Sequence, residues 1–154
     1  MNAFISDQIG YIFSDALSDV VSTTTGFTFD VTSDDLDAGF DEMTGFISLN
    51  GENHGILFIS TKEDTMRVLC SYMTGTALRD VSKDDVEDSL CEFVNMTAGN
   101  AKLRFNDTGH VFMLSPPFVF RGNDMSIISK KRVNVISKTL SNDEISIKLK
   151  VVFY

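Results

Sequence analysis

Apolar residues recur every three or four positions over residues 82–105, which predicts one long amphipathic helix. Successive residues of a helix lie about 100° apart, so the apolar residues gather on one side and polar ones on the other. The apolar side comprises Val86, Leu90, Phe93, Val94, Thr97 and Ala101. The opposite side comprises Asp88, Glu92, Asn95, Gly99 and Lys102.

The polar side of this helix has two features that bear on function. Glu92 and Asn95 are three residues apart, so their side chains are neighbours and could contact one partner molecule together. Gly99 lies on the same arc, although glycine costs about 1 kcal/mol relative to alanine inside a helix. A glycine at this cost is compatible with a surface that a partner approaches closely. For a helix taken by itself, a solvated face with an indifferent glycine is the commoner explanation.

Two more helices are predicted from the same spacing. Residues 2–21 carry one broad apolar stripe that breaks near residues 23–26, and residues 62–73 form a shorter helix closed by Gly75 as a C-cap. At the start of the long helix, Ser82 is predicted to cap the first turn together with Asp85.

Strands are predicted where apolar and polar residues alternate. Residues 42–50 and 54–61 form a predicted hairpin, because residues 50–53 have the composition of a tight turn. Shorter extended segments are predicted at residues 27–33, 110–114 and 118–120. Pro116 and Pro117 mark a bend or a sheet edge, since proline cannot donate to a sheet ladder.

The last third of the chain predicts two long antiparallel strands with one dry face. The residues assigned to that face are Val133, Val135 and Ser137 in one strand and Ile145, Ile147, Leu149, Val151 and Phe153 in the other. Together with the helices, these strands predict an α+β protein in which a largely antiparallel sheet packs against long helices. Residues 1–154 are predicted to form a single domain, since the chain is too short for two ordinary ones.

Charge and composition exclude several classes of partner. With 22 acidic and 13 basic residues, the chain has a formal net charge of -9 and is expected to repel nucleic acid and anionic lipid. No secretory signal or membrane-spanning stretch is identified, so a cytoplasmic location is expected. Cys70 and Cys91 lie among apolar neighbours and are expected to be reduced, buried thiols.

The sequence lacks the motifs of a self-contained enzyme. Neither His54 nor His110 occurs in a pattern with a nucleophile, and no spacing of histidines and cysteines fits a zinc site. No glycine-rich phosphate loop follows a predicted strand. No metal site is therefore expected on this chain.

The helix at residues 82–105 resembles the signature helix of the CheX/CheC class of chemotaxis phosphatases. The matching residues are Asp88, Glu92 and Asn95, followed by Gly99-Asn100-Ala101-Lys102. The resemblance extends to the hairpin at residues 45–60 and to Met73-Thr74-Gly75, and covers about residues 40–122. Pro117 best matches the proline of the family, although it lies 22 residues after Asn95, one fewer than usual.

This resemblance implies a CheC-like fold, closest to CheX, and a role for each matching residue. Asn95 would enter the active site of a phosphorylated CheY-like response regulator and position a water molecule, and Glu92 would pair with the regulator's lysine. Asp88, Gly99 and Lys102 would belong to the partner-binding surface. The regulator would supply Mg²⁺, so the chain would need no cofactor of its own. If the fold has two related halves, Asp15 and Ser18 fall where Glu92 and Asn95 would, without an amide.

Two alternatives concern catalysis and assembly. The same helix could bind a regulator, or another signalling or flagellar partner, without hydrolysis. CheX-type relatives pair through their sheets, so the strand at residues 145–153, if it lay at a sheet edge, could pair with a second copy to form a homodimer.

Overall fold

The computed structural model describes residues 3–33, 39–51, 54–106, 111–130 and 132–154. Within these ranges the helices are α1 (Ala3–Thr25), α2 (Glu63–Thr74) and α3 (Lys83–Asn106), with a 3₁₀ turn at Leu78–Asp80. The strands are β1 (Asp30–Ser33), β2 (Met43–Gly51), β3 (Gly55–Thr61), β4 (Phe112–Leu114), β5 (Phe118–Arg121), β6 (Asn134–Ser141) and β7 (Ser146–Phe153). The predicted α+β class and the three predicted helices are confirmed.

The described strands form one antiparallel sheet in the order β1-β6-β7-β3-β2-β4, and β5 also pairs with β2. The predicted hairpin is β2 and β3, although residues 52–53 of its turn lie outside the described residues. β4 pairs with the end of β2 and β5 with its beginning. Pro116 and Pro117 lie between these two short strands, which confirms the predicted interruption at a sheet edge.

The homodimer prediction depended on the strand at residues 145–153 lying at a sheet edge. That assumption is wrong, because β7 is not an edge strand. β7 is paired with β3 on one side and with β6 on the other. Its backbone groups are therefore already engaged in the sheet ladder and cannot recruit a second chain. In the described part of the sheet, the outer positions belong to β1 and to β4 and β5.

The helices cover one face of the sheet, and the core lies between the helices and that face. The predicted inward residues of β7 and of the segment just before it, from Ile145 to Phe153, are all buried there. The prediction for β6 is wrong: Ile136 and Leu140 enter this core, and the predicted Val133, Val135 and Ser137 do not. The register explains the difference, because Ile136 lies opposite Val151, which places the even-numbered residues of β6 on the helix side.

The segment around the end of α1 differs in part from its prediction. α1 ends at Thr25, and Gly26 follows with a φ of 80°, so the predicted break is confirmed. The strand predicted at residues 27–33 is shorter, since β1 begins only at Asp30. Phe27 instead packs edge-on against Tyr72 of α2, with ring centroids 4.9 Å apart.

α3 lies directly on β2 because a glycine in the strand allows close approach. A Cβ atom at Gly45 would lie 2.6 Å from Val94 Cγ2 and 3.0 Å from Leu90 Cγ, distances at which a neighbouring side chain would have to move. Val94 and Leu90 are fully buried against this strand. The contact therefore determines which side of α3 faces the core and which side faces outward.

The N-terminal end of α3 is held by a capping pair and an ion-pair network. The Asp85 N–H donates to Ser82 Oγ at 3.1 Å, and the Ser82 N–H donates to Asp85 Oδ2 at 2.9 Å, which confirms the predicted cap. The Ser82 hydroxyl also donates to Asp85 Oδ2 at 2.6 Å. This hydrogen bond and the one from the Ser82 N–H lower the pKa of the Asp85 carboxyl. Arg121 Nε donates to Glu87 Oε1 at 2.7 Å, and its Nη1 donates to Glu63 of α2. Arg121 therefore ties β5 to both helices.

The other face of the sheet carries a cluster of phenylalanines away from the helices. Phe46 contacts Phe58 and Phe118, with centroid separations of 6.0 and 5.4 Å. Phe40 packs over Phe58 at 5.2 Å and lies edge-on to Phe120.

Among the described residues, no helix has the length and hydropathy needed to cross a membrane.

Candidate functional site

The outward side of α3 carries the polar residues that the sequence predicted. Asp88, Glu92 and Asn95 are exposed, and Gly99 and Lys102 are partly exposed. All six residues predicted for the opposite side are buried. Because Val94 and Leu90 are buried against β2, Glu92 and Asn95 project away from the core. The structure thus confirms the orientation of this surface and tests no individual role.

Glu92 and Asn95 have no competing partners within the part of the chain that the structure describes. Neither side chain takes part in a hydrogen bond, an ion pair or an aromatic contact there. The two residues are three apart on the helix, so they are separated by about 4.5 Å along its axis and their side chains are neighbours on its surface. One molecule docked on this surface could therefore accept contacts from a carboxylate and an amide together.

Gly99 lies one helical turn beyond Asn95 and leaves a gap in the surface. A Cβ atom built at Gly99 would meet nothing within 4 Å, so no contact among the described residues requires glycine there. Gly10 of α1 contrasts with it, because a Cβ atom there would lie 2.9 Å from Ile136 Cγ2. Gly10 is explained by packing against the sheet, whereas Gly99 is not explained by the packing of this chain.

Replacing Gly99 with alanine is expected to change stability and partner binding in opposite directions. The helix should gain about 1 kcal/mol of unfolding free energy, since alanine restricts the unfolded chain and favours the helix. If a partner approaches the backbone here, the added methyl group should weaken its binding. Thermal unfolding measures the first effect, and titration with a CheY-like regulator, the partner that the resemblance implies, measures the second. Gly10→Ala is the control and should gain less stability, because its Cβ atom would lie 2.9 Å from Ile136 Cγ2. A variant that binds as tightly as the wild type would show that the gap is not part of the interface.

Charge is distributed unevenly along this surface. Asp88 and Glu92 occupy its N-terminal half, and Lys102 lies towards its C-terminal end. Cys91 lies beside them; burial raises the pKa of its thiol, and the negative charges of Asp88, Glu87 and Glu92 raise it further. The Cys91 thiol is therefore protonated and unsuited to nucleophilic attack. The acidic half complements a cationic group on a partner.

The corresponding acids of α1 are engaged within the chain. Arg104 of α3 lies 3.7 Å from Asp15 Oδ2 through its Nη1 and is paired with Asp19 through its Nη2. Arg104 Nε also donates to Asn100 Oδ1 at 2.9 Å. Asp15 is thus part of a clamp between α1 and α3, and Ser18 beside it offers no amide. Of these two matching pairs, Asp15–Ser18 on α1 and Glu92–Asn95 on α3, only the pair on α3 has both an acid and an amide, and neither of its side chains has a partner among the described residues.

The remaining polar candidates form no site of their own among the described residues. His54 is exposed and stacks on Tyr154 at a centroid separation of 6.2 Å, and His110 lies outside the described residues. Cys70 is buried, Cys91 is half-buried, and both are free thiols. No group of three potential metal ligands comes together in the part of the chain that the structure describes.

Leu103 is a residue of this surface that the sequence reasoning missed. It is 70% exposed, unlike the large apolar residues that α3 buries. Eleven residues after Glu92, it comes back to within about 20° of the same direction at 100° per residue. The helical spacing alone was therefore enough to place Leu103 on the polar side of α3.

Comparison with known proteins identifies a family for this chain and solved structures with the same fold. The family model described as "Chemotaxis phosphatase CheX" matches residues 43–141. No curated protein sequence matches at a significant level. The chemotaxis protein CheX from Vibrio vulnificus has a similar structure, with a TM-score of 0.84, 21% identity and complete coverage of both chains.

Two further solved structures share this fold. A CheC-like superfamily protein from Shewanella sp. PV-4 aligns with a TM-score of 0.83 and 22% identity over 100% of this chain and 99% of the other. The CheX of a CheX–CheY–BeF₃–Mg²⁺ complex from Borrelia burgdorferi aligns with a TM-score of 0.77 and 21% identity, covering 93% of this chain and 96% of that one.

Proposed function

Because the chain belongs to the chemotaxis phosphatase family CheX, we propose that it accelerates hydrolysis of the aspartyl phosphate of a CheY-like response regulator. The observation that carries this proposal is the exposed pair Glu92 and Asn95, which has no partner among the described residues and lies on a helix packed closely against β2. The chain offers few groups for chemistry of its own. It is suited instead to completing an active site that another protein supplies.

The proposed reaction needs a positioned water molecule. Its oxygen attacks phosphorus in line with the aspartyl oxygen, the P–O bond to that oxygen breaks, and the aspartate carboxylate leaves with the bonding electrons. Water thus yields inorganic phosphate and releases a proton to solvent. The Mg²⁺ held by the regulator neutralises charge on the phosphoryl oxygens. This chain is proposed to contribute no metal ligand.

Asn95 is proposed to hold the attacking water. A carboxamide has both a donor and an acceptor, and it carries no charge that would repel the phosphoryl oxygens. A helix that is fixed at its cap and along β2 places this amide with little loss of entropy on docking. Asn95 would therefore act as the catalytic residue through orientation and not through proton transfer.

Glu92 is proposed to pair with the lysine of the regulator's active site. The carboxylate has no cationic partner within the described residues, so docking would not have to break an internal ion pair. This pairing would set the register of α3 in the regulator's active site. Asp88, Gly99 and Lys102 are proposed to line the same interface, with Asp88 adding negative charge and Gly99 allowing close approach.

The test is the decay of a phosphorylated receiver domain in the presence of Mg²⁺, across a panel of receivers from the same genome. The wild-type protein is expected to shorten the lifetime of its cognate acyl phosphate by on the order of tenfold or more. Stable capture of a phosphorylated receiver with an unchanged lifetime would identify a binding module instead. If no receiver is bound or dephosphorylated, both proposals are wrong.

Two predictions accompany this proposal. The first is a cytoplasmic location, since a CheY-like response regulator is a cytoplasmic protein and the two would have to meet. The homodimer also stays a prediction, and it cannot form through β7; the available strands in the described sheet are β1, β4 and β5.

A further inference from the structure

Leu103 is the exposed apolar side chain that shares its helix face with the proposed catalytic pair. Other large apolar residues are exposed elsewhere, on β4, on α2 and in the segment before β6. Leu103 differs because the helical repeat places it in line with Glu92, about 12 Å along the axis from Asn95. A scattered exposed leucine needs no explanation, but one on a surface proposed to dock a partner does.

The surroundings of Leu103 present it to a partner. The neighbouring Arg104 is bound to Asp19, Asp15 and Asn100, so the last turns of α3 are tied to α1. Leu103 itself packs on no part of the described core. Helical side chains lean towards the preceding turn, where Gly99 lies. The space at Gly99 nevertheless stays open, because nothing lies within 4 Å of a Cβ atom built there.

We propose that Leu103 is a specificity-determining contact, which docks against an apolar patch on the receiver beside its phosphorylation site. This inference rests on the proposed function. A regulator that places its cationic site against Glu92 would run along α3, approach the backbone at Gly99 and meet Leu103 beyond it. The interface then has a charged contact at Glu92 and an apolar contact at Leu103. The apolar contact would distinguish among receivers that all share the same catalytic groups.

The test measures binding separately from catalysis. Leu103→Gln replaces the apolar side chain with a polar one of similar size and similar helix propensity, and Leu103→Met keeps it apolar. Leu78→Gln is the matched control, since Leu78 is 48% exposed on the 3₁₀ turn that precedes α3 and is not part of that helix. Titration calorimetry with the receiver that the wild type captures or dephosphorylates in the panel, activated with beryllofluoride and Mg²⁺, gives Kd for each variant.

Leu103→Gln is expected to raise Kd about tenfold, since a leucine buried at an interface loses its transfer free energy when replaced by a polar group. Leu103→Met and Leu78→Gln should bind like the wild type, and kcat should stay within about twofold in all three, because Leu103 is remote from the reacting atoms. Equal Kd values for Leu103→Gln and the wild type would overturn this inference and leave the phosphatase proposal intact. An unchanged phosphate lifetime with wild-type protein would instead overturn the phosphatase proposal, whatever Leu103→Gln does to Kd.

Discussion

Asn95→Ala is expected to lower kcat for regulator dephosphorylation by about 100-fold while leaving KM within about threefold of the wild type. The amide is proposed to act on the attacking water and not on the bound regulator, so its loss should affect the transition state more than binding. Asn95→Asp is expected to be equally inactive, although it keeps the shape of the side chain. Its negative charge would lie close to the phosphoryl oxygens.

The control for this pair is Asn50→Ala, which removes an exposed amide from β2 on the face of the sheet away from the helices. All three variants change exposed side chains, so their stabilities should stay within about 0.5 kcal/mol of the wild type. Single-turnover decay of the phosphorylated receiver at saturating protein gives kcat directly. Full acceleration by Asn95→Ala would remove the water-positioning role from this residue.

Glu92→Lys is expected to raise KM for the phosphorylated regulator by about 100-fold, because a favourable pair of charges becomes a repulsive one in a desolvated contact. Glu92→Gln keeps the size of the side chain and should raise KM by about tenfold. Bound complexes of Glu92→Gln should still turn over, since the amide of Asn95 is unchanged. The measurement is the dependence of the decay rate on protein concentration.

A matched control separates the local pair from the overall charge of the protein. Glu144→Lys alters the formal net charge of -9 by the same amount as Glu92→Lys does. Glu144 is exposed and lies in the turn before β7. It should leave KM nearly unchanged at moderate salt, where charges outside the contact are screened. The wild type should lose affinity as ionic strength rises, and Glu92→Gln should lose less. Equal KM values for Glu92→Lys and Glu144→Lys would contradict the proposed pairing.

Local patterns were sufficient to locate the helices and most strands. The period of α3 and its Ser82–Asp85 cap depend on neighbouring residues only, so they were predictable without knowledge of the fold. The same holds for the end of α2, where Gly75 adopts a φ of 72°. The exposed arc with Glu92 and Asn95 followed from the same spacing.

Features that depend on distant segments were predicted less well. β7 has the alternation of a strand with one dry face, and that pattern is the same at an edge or in the middle of a sheet. β6 directly precedes β7 in the chain, but the second neighbour of β7 is β3 from a much earlier part, so the central place of β7 could not be deduced from its own residues. The reversed face of β6 has a different cause: it follows from the register of the β6–β7 hairpin, in which Ile136 pairs with Val151.

The sequence by itself determined which residues of α3 share a face, since the helical period depends on nothing beyond the chain's own geometry. The tertiary structure decided that this face is available. Gly45 lets Leu90 and Val94 pack closely on β2, which turns Glu92 and Asn95 outward, and Arg104 draws Asp15 of α1 into an internal ion pair. Both effects arise between residues far apart in the chain, because packing and charge pairing depend on distance in space and not on distance in sequence.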